Sequence, residues 1–222
     1  MSHEISHLNT IISSPSNPLL FLRTIQPSDA PALSSILSSP SNKSDPHGKD
    51  IDIPTAQLSI SRMRESASQP TILDAQGNVI SGPSRVNMML VLKSEDGNGQ
   101  PTETVIGLGG FGAIKDWERG GKKIRAGDVG VMMDPAYKRK GYGVEAMKMA
   151  TSWAFMSADE GGPQLDLVTI TTLEDNEAML KLLNEKFGLE GKGISRPAEF
   201  DADKNEMYYE LSKEDWIGIN GN

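Results

Sequence analysis

The stretch DVGVMMDPAYKRKGYGVEAMKMATSWAF, Asp128–Phe155, decides how the rest of the chain is read. Asp128-Val129-Gly130-Val131-Met132-Met133 reads as a strand, and Asp134-Pro135 ends it because proline has no amide to give a sheet ladder. Lys138-Arg139-Lys140-Gly141-Tyr142-Gly143 forms a basic, glycine-bearing loop. Beyond it, Val144, Met147, Ala150 and Ala154 recur at helical spacing and give one apolar face. The first turn of a helix leaves backbone N–H groups unpaired, with partial positive charge pointing outward. Glycine lets a ligand approach the backbone closely, and neighbouring cations add long-range attraction. Strand, basic loop and helix start together make a site for a phosphate or diphosphate. A surface turn beside a solvated basic face has the same local pattern, and the motif alone leaves both readings open.

The run K-R-K-G-Y-G after V-M-M-D-P resembles the R/Q-x-x-G-x-G/A loop of the GNAT acyltransferases. Lys138 stands where Arg or Gln is usual, while Gly141 and Gly143 match. Glu145-Ala146 and Ala154-Phe155 are similar to the branch that acetylates protein N-termini, the ribosomal-protein type. The resemblance spans roughly Leu20 to Leu211, with its specific motifs between Asp128 and Gly188. It implies that the loop holds the pyrophosphate of acetyl-coenzyme A, the co-substrate. Lys138, Arg139, Lys140, Gly141, Tyr142 and Gly143 are then candidate binding residues.

The same resemblance implies an α/β fold with a mixed, mostly antiparallel sheet and helices on both faces. Two neighbouring parallel strands, Asp128–Met133 and Leu165–Thr172, would splay apart at one end and admit the pantetheine arm. Val131, Met132 and Met133 would lend it backbone groups, although ordinary strand pairing accounts for them equally. Asn176 opens N-E-A-M-L-K-L-L-N-E-K-F-G-L, similar to the helix that closes over the coenzyme. It is a candidate pantetheine ligand and equally a helix N-cap. Seven residues on, where many members carry a tyrosine acid, this chain has Leu183. Tyr208 and Tyr209 remain as weaker proton donors, with strand packing as their ordinary role.

An amine must be neutral to attack a thioester. An α-amine has a pKa of about 8 and a lysine about 10.4, so the α-amine is easier to deprotonate near neutral pH. One carboxylate working through water suffices. Asp128, on the strand face of Gly130 and Met132, is the first candidate base, and Glu174, just past the following strand, the second. The expected chemistry is direct acetyl transfer in a ternary complex, with no metal and no covalent enzyme intermediate. By family analogy the acceptor is a protein or peptide α-amine; a small-molecule amine such as a polyamine or antibiotic is the alternative. The missing tyrosine and the lysine at 138 also keep open a non-catalytic acyl-coenzyme A-binding module.

Composition narrows the rest. A formal net charge of −8 argues against nucleic acid and against an anionic membrane as partner. The chain has no cysteine, which excludes disulfides and thiolate chemistry and fits a cytoplasmic protein. No apolar run approaches the roughly 20 residues of a membrane helix, and the N-terminus has no signal-peptide pattern. The expected organisation is a flexible tail over 1–18, one domain over 19–215 and a C-terminal tail over 216–222, as monomer or homodimer. The expected order is β-α-α-β-β-β-α-β-α-β. Asp29 is expected to cap the first helix. His3 and His7, four apart, are placed in the untethered tail, and His47 in an exposed loop from Ser38 to Pro54. The cluster Gly107, Gly109, Gly110, Gly112 suggests a bend or close backbone contact.

Overall fold

A computed structural model describes residues 6–220; His3 lies outside them. The elements run β1 (Ile11–Ser13), β2 (Leu20–Thr24), α1 (Ala30–Ser38), α2 (Ile53–Ala67), β3 (Ile72–Leu73), β4 (Val79–Ser81), β5 (Val86–Glu95), β6 (Pro101–Arg119), β7 (Lys122–Met133), α3 (Tyr142–Ala154), β8 (Leu167–Leu173), α4 (Glu177–Phe187), β9 (Ile194–Ala198), β10 (Asp201–Ser212) and α5 (Lys213–Asn220). Eight strands form one sheet in the order β1-β2-β5-β6-β7-β8-β10-β9, and β3 pairs with β4 apart from it. Every neighbouring pair in the large sheet is antiparallel except β7 and β8. This is the expected mixed α/β sheet.

Alternation along the strands builds a core on each face. Val129, Val131 and Met133 of β7 join Met147, Ala150 and Trp153 of α3 on one side. Met132 turns to the other side, where Leu33, Ile36, Ala56 and Ile60 of α1 and α2 cover Phe21, Met89 and Val91. The helix starts follow the sequence rules where a side chain is free to cap: Asp52 Oδ1 accepts from Thr55 N at 2.9 Å. Asp29 instead spends its carboxylate on Arg23, in two bonds of 2.7 Å, and on Gln26 N at 2.7 Å. It therefore makes no side-chain cap for α1.

The glycine cluster does bend β6. Phe111 pairs with Val129 and Ala113 with Asp128, leaving Gly112 as the extra residue of a bulge. Gly110 sits at φ +83, and a Cβ there would lie 2.5 Å from the Val86 carbonyl oxygen. The hairpin beyond is long. Its turn is only Gly120-Gly121, both at positive φ, so residues 117–119 continue β6 and β7 begins at Lys122.

Residues 6–18 and 216–220 are tied to the domain more closely than their polar composition suggested. β1 pairs with β2, and Leu8 and Ile12 pack on the main core. Ser14 Oγ and Ser16 Oγ donate to Glu145 Oε2 at 2.9 and 2.5 Å. These serines are fixed by a carboxylate 129 residues or more away, a contact no local pattern announces. At the other end, Trp216 of α5 is buried against Phe187, ring centroids 5.4 Å apart, and its Nε1 donates to Ser152 Oγ at 3.1 Å.

His7 closes the N-terminal strap. It is 1 % exposed, edge-on to Trp153 at 5.3 Å, with Nε2 2.9 Å from Thr71 Oγ1 and Nδ1 unpartnered. Burial first, and the Arg125 charge second, drive its pKa from 6.5 down to about 4. The unfolded chain therefore binds more protons than the folded one between those values. Stability is complete above pH 6.5 and is lost as pH falls towards 4. In urea unfolding, wild type should lose about 3 kcal/mol more between pH 7 and pH 4 than His7→Gln. Equal losses in the two proteins would contradict this account of the strap.

Candidate active site

The parallel pair defines the site. β7 and β8 pair only through Ala126, Gly127 and Asp128 against Leu167, Val168 and Thr169. Both strands continue, to Met133 and Leu173, but not as partners. Beyond Asp128, β7 is held by β6 alone; beyond Thr169, β8 is held by β10 alone. The strands part beside the Gly112 bulge, which adds local twist. The facing edges have no strand partner across the gap; Asn42 Nδ2 donates to the Met133 carbonyl oxygen at 3.0 Å, and edge groups left without a partner need water or a ligand.

Past Met133 the chain makes a 3-10 turn over Pro135–Tyr137 and enters the basic loop. Arg139 (φ 62) and Gly141 (φ 82) both take the left-handed region. For Arg139 that conformation costs on the order of 1–2 kcal/mol. Among the described residues, the N–H groups of Tyr142, Gly143 and Val144 have no acceptor, and Glu145 N is the first bound, to Gly141 O at 3.2 Å. Arg139 and Lys140 are exposed. Lys140 Nζ lies 5.2 Å from the centre of the Tyr137 ring. The Arg139 side chain has no hydrogen-bond or ion-pair partner among the described residues. Lys138 differs: its ammonium donates to Ser41 and Asn42. Gly143 lies over β7, and a Cβ there would touch Met133 and Val131 at 3.7 Å without clash.

Asp128 stands at the fork, on the face covered by α1 and α2. Thr169 Oγ1 and Thr171 Oγ1 donate to its Oδ1 at 2.9 and 3.1 Å. Burial pushes its carboxyl pKa above the usual aspartate value. The two threonine hydroxyls and the charge of His47 pull it back, and Glu206 pushes it up. His47 is exposed as expected, but it also packs edge-on against Phe200 at 5.6 Å. The segment between α1 and α2 thus meets the β9–β10 turn beside Asp128. On the same face Arg119 makes two bonds to Glu210, at 2.9 and 2.7 Å, and Arg196 Nε holds Glu206 at 2.8 Å.

The other candidates are dispersed. Glu174 is exposed and accepts from Ser195 Oγ. It lines an open cavity of about 390 Å³ with Met207 and Tyr209, on the sheet face opposite Asp128, so the two carboxylates are not brought together. Asn176 caps α4, its Oδ1 accepting from Met179 N at 3.2 Å. Leu183 is fully buried in the main core. Tyr208 lies on the Asp128 face, pairs with Thr171 in register and donates to Glu210 Oε1 at 2.9 Å. Burial and the Glu210 contact raise its pKa well above the ordinary phenol value. Tyr209 is buried, which raises its pKa too.

Sequence reasoning missed Thr169, Thr171 and Asn42. The two threonines alternate on a strand, so their shared face was available from the period of two. Asn42, inside a polar loop, carried no such signal. Among the described residues no group of three or more His, Asp or Glu is placed to hold a metal ion, and no helix is long and apolar enough to cross a membrane.

A sheet split between two parallel strands, with a basic loop and helix N-terminus at the open end, is the architecture of an acyl-carrier-dependent transferase. The model of the acetyltransferase (GNAT) domain matches residues 20–190, and the chain belongs to that family. It is a GNAT N-acetyltransferase, and acetyl-coenzyme A is the co-substrate typical of the family. No curated protein matches the chain in sequence. Among solved structures it is similar to apo RimL, a ribosomal L7/L12 alpha-N-protein acetyltransferase, with TM-score 0.61 and 14 % identity over 93 % of this chain and 96 % of that one. A GNAT acetyltransferase from Bacillus anthracis gives TM-score 0.56 and 15 % identity over 92 % and 99 %. The microcin C7 self-immunity acetyltransferase MccE, in complex with acetyl-CoA and AMP, gives 0.58 and 13 % over 92 % and 98 %. At these identities the likeness is one of fold.

The Asp128 environment can be tested without a substrate. Carbon-detected NMR should place its carboxyl titration above the usual aspartate range, and Thr169→Val or Thr171→Val should raise it further, by up to about one unit each. A midpoint at or below the ordinary value in wild type would contradict the geometry.

Proposed function

We propose that the protein transfers acetyl directly from acetyl-coenzyme A to a primary amine, with the α-amine of a protein or peptide as acceptor. The observation that carries this reading is the unpaired edge of β7 between Asp128 and Met133. A pantetheine arm carries amides that can pair with such an edge as a strand would. Backbone groups of Val131 and the amide of Met133 align it, since Met132 turns its backbone to β6 and the Met133 carbonyl is taken by Asn42 Nδ2, and a strand amide faces the thioester oxygen as charge develops there. The first-turn amides of α3 with Gly141, Tyr142 and Gly143 hold the diphosphate, and Arg139 and Lys140 supply its counter-charge. Asn176, whose amide nitrogen is left over after capping, reaches the arm from the β8 side.

Asp128 is the base. It is one residue from the open stretch of β7 and partly desolvated, and burial raises its pKa above the usual aspartate value, as suits a base. Acting through one water, it takes the ammonium proton of the acceptor before attack. Glu174 lies on the opposite face and is a weaker candidate. The leaving thiolate is weakly basic and takes its proton from water; Tyr208, on the Asp128 face, is the alternative donor. Holding thioester and amine together supplies the main acceleration. The acceptor reading rests on the resemblance to the N-terminal branch and on the likeness to RimL. The likeness to MccE, crystallised with AMP, favours a small-molecule amine as the second reading.

With acetyl-coenzyme A and a panel of free-α-amine peptides, α-blocked lysine peptides and polyamines, thiol release should follow the free-α-amine peptides. Asp128→Asn should cut kcat/KM by about 10²–10⁴-fold and leave coenzyme affinity within about threefold. A preference for polyamines would replace the acceptor, and an unchanged pH–rate profile in Asp128→Asn would remove the base.

A further inference from the structure

Lys138 opens the basic loop, yet its donors are already taken. An ammonium has three N–H donors. Asn42 Oδ1 lies 2.7 Å from Nζ, and the carbonyl oxygen and Oγ of Ser41 each lie at 3.2 Å. The Lys138 backbone N–H donates to Pro135 O at 3.3 Å. Asn42 is saturated as well. It is 5 % exposed, and its Nδ2 donates to Ile36 O at 2.9 Å and to Met133 O at 3.0 Å. One small network therefore joins the last turn of α1, the last residue of β7 and the head of the basic loop. Its neighbours Arg139 and Lys140 stay exposed and take no part in it.

From Asn42 the chain turns tightly, with Asp45 N on Asn42 O at 3.1 Å and Gly48 N on Asp45 O at 2.9 Å. A Cβ at Gly48 would overlap the Asn42 carbonyl oxygen, so the turn closes back on the anchored residue. Between Asp45 and Gly48 sits His47, which packs on Phe200 and whose charge reaches Asp128. The segment that Lys138 holds at one end is thus the one that overlooks the fork at its middle.

We propose that Lys138 is a positioning residue: through Asn42 it ties the α1–α2 segment to the coenzyme loop, so that coenzyme occupancy orders the acceptor side of the site. This rests on the reading above that the loop binds the diphosphate, and it assigns the counter-charge to Arg139 and Lys140 alone. Coupling of this kind is reciprocal, so an ordered α1–α2 segment also strengthens coenzyme binding modestly.

The test is hydrogen exchange on the full chain with and without acetyl-coenzyme A, alongside calorimetry, for wild type, Lys138→Met and the double variant Arg139→Ala/Lys140→Ala. In Lys138→Met without ligand, amides 40–48 should exchange at least about tenfold faster than in wild type. Acetyl-coenzyme A should slow these amides in wild type and not in Lys138→Met, whose affinity stays within about threefold. The double variant should lose at least about tenfold in affinity and keep the wild-type exchange at 40–48. Two results overturn the proposal: Lys138→Met losing as much affinity as the double variant with exchange at 40–48 unaltered, or acetyl-coenzyme A leaving those amides unchanged in wild type. Failure of wild type to bind acetyl-coenzyme A would count against the functional reading instead, and the tether would then stand or fall on ligand-free exchange in Lys138→Met.

Discussion

Three paired positions hold β7 to β8, Ala126 to Asp128 against Leu167 to Thr169, and the place where that ladder stops fixes the rest of the site. A parallel pair that continued to the ends of both strands would leave no slot. Interrupting it costs backbone hydrogen bonds, each worth roughly 1 kcal/mol net. The fold offsets this by securing each strand on its other side, β7 against the long hairpin partner β6 and β8 against β10. The bulge at Gly112 lies directly opposite the fork and gives β7 the extra twist with which to diverge. The open edge is therefore built in before any ligand arrives.

Around that edge, charge is sorted by face and by end. The basic loop and the free amides of α3 sit at the open end, where a diphosphate needs positive potential. The one carboxylate in the first turn of α3, Glu145, accepts from the hydroxyls of Ser14 and Ser16, both at Oε2. On the α1–α2 face the carboxylates of Glu206 and Glu210 are each matched by an arginine, while Asp128 has only threonine hydroxyls. Unlike those two, Asp128 has no guanidinium partner among the described residues. That difference in pairing, more than position in sequence, separates a candidate base from structural ion pairs.

Much of this was legible in the chain. Proline after the apolar run Val129–Met133, two glycines two apart and a helical apolar period marked the strand, loop and helix of Asp128–Phe155. The glycine cluster announced a bend without saying where. The ordered ends were not legible, because Ser14, Ser16 and Trp216 owe their order to partners far away in sequence. Nor was the role of Asn42: a polar loop residue can be buried only when every polar atom finds a partner, and those partners come from α1, β7 and the basic loop together. Lys138 shows the same limit from the other side. The sequence placed it with Arg139 and Lys140 as a candidate ligand of the diphosphate, at the motif's Arg/Gln position, and three-dimensional contacts separate it from the other two.

The most direct measurement is a crystal structure of the protein with acetyl-coenzyme A. The account predicts the pantetheine lying between β7 and β8 past Asp128, its amides bonded to the free edge of β7, and the diphosphate at the start of α3. Coenzyme bound elsewhere, or β7 and β8 zipped together to Met133 with the gap closed, would contradict it.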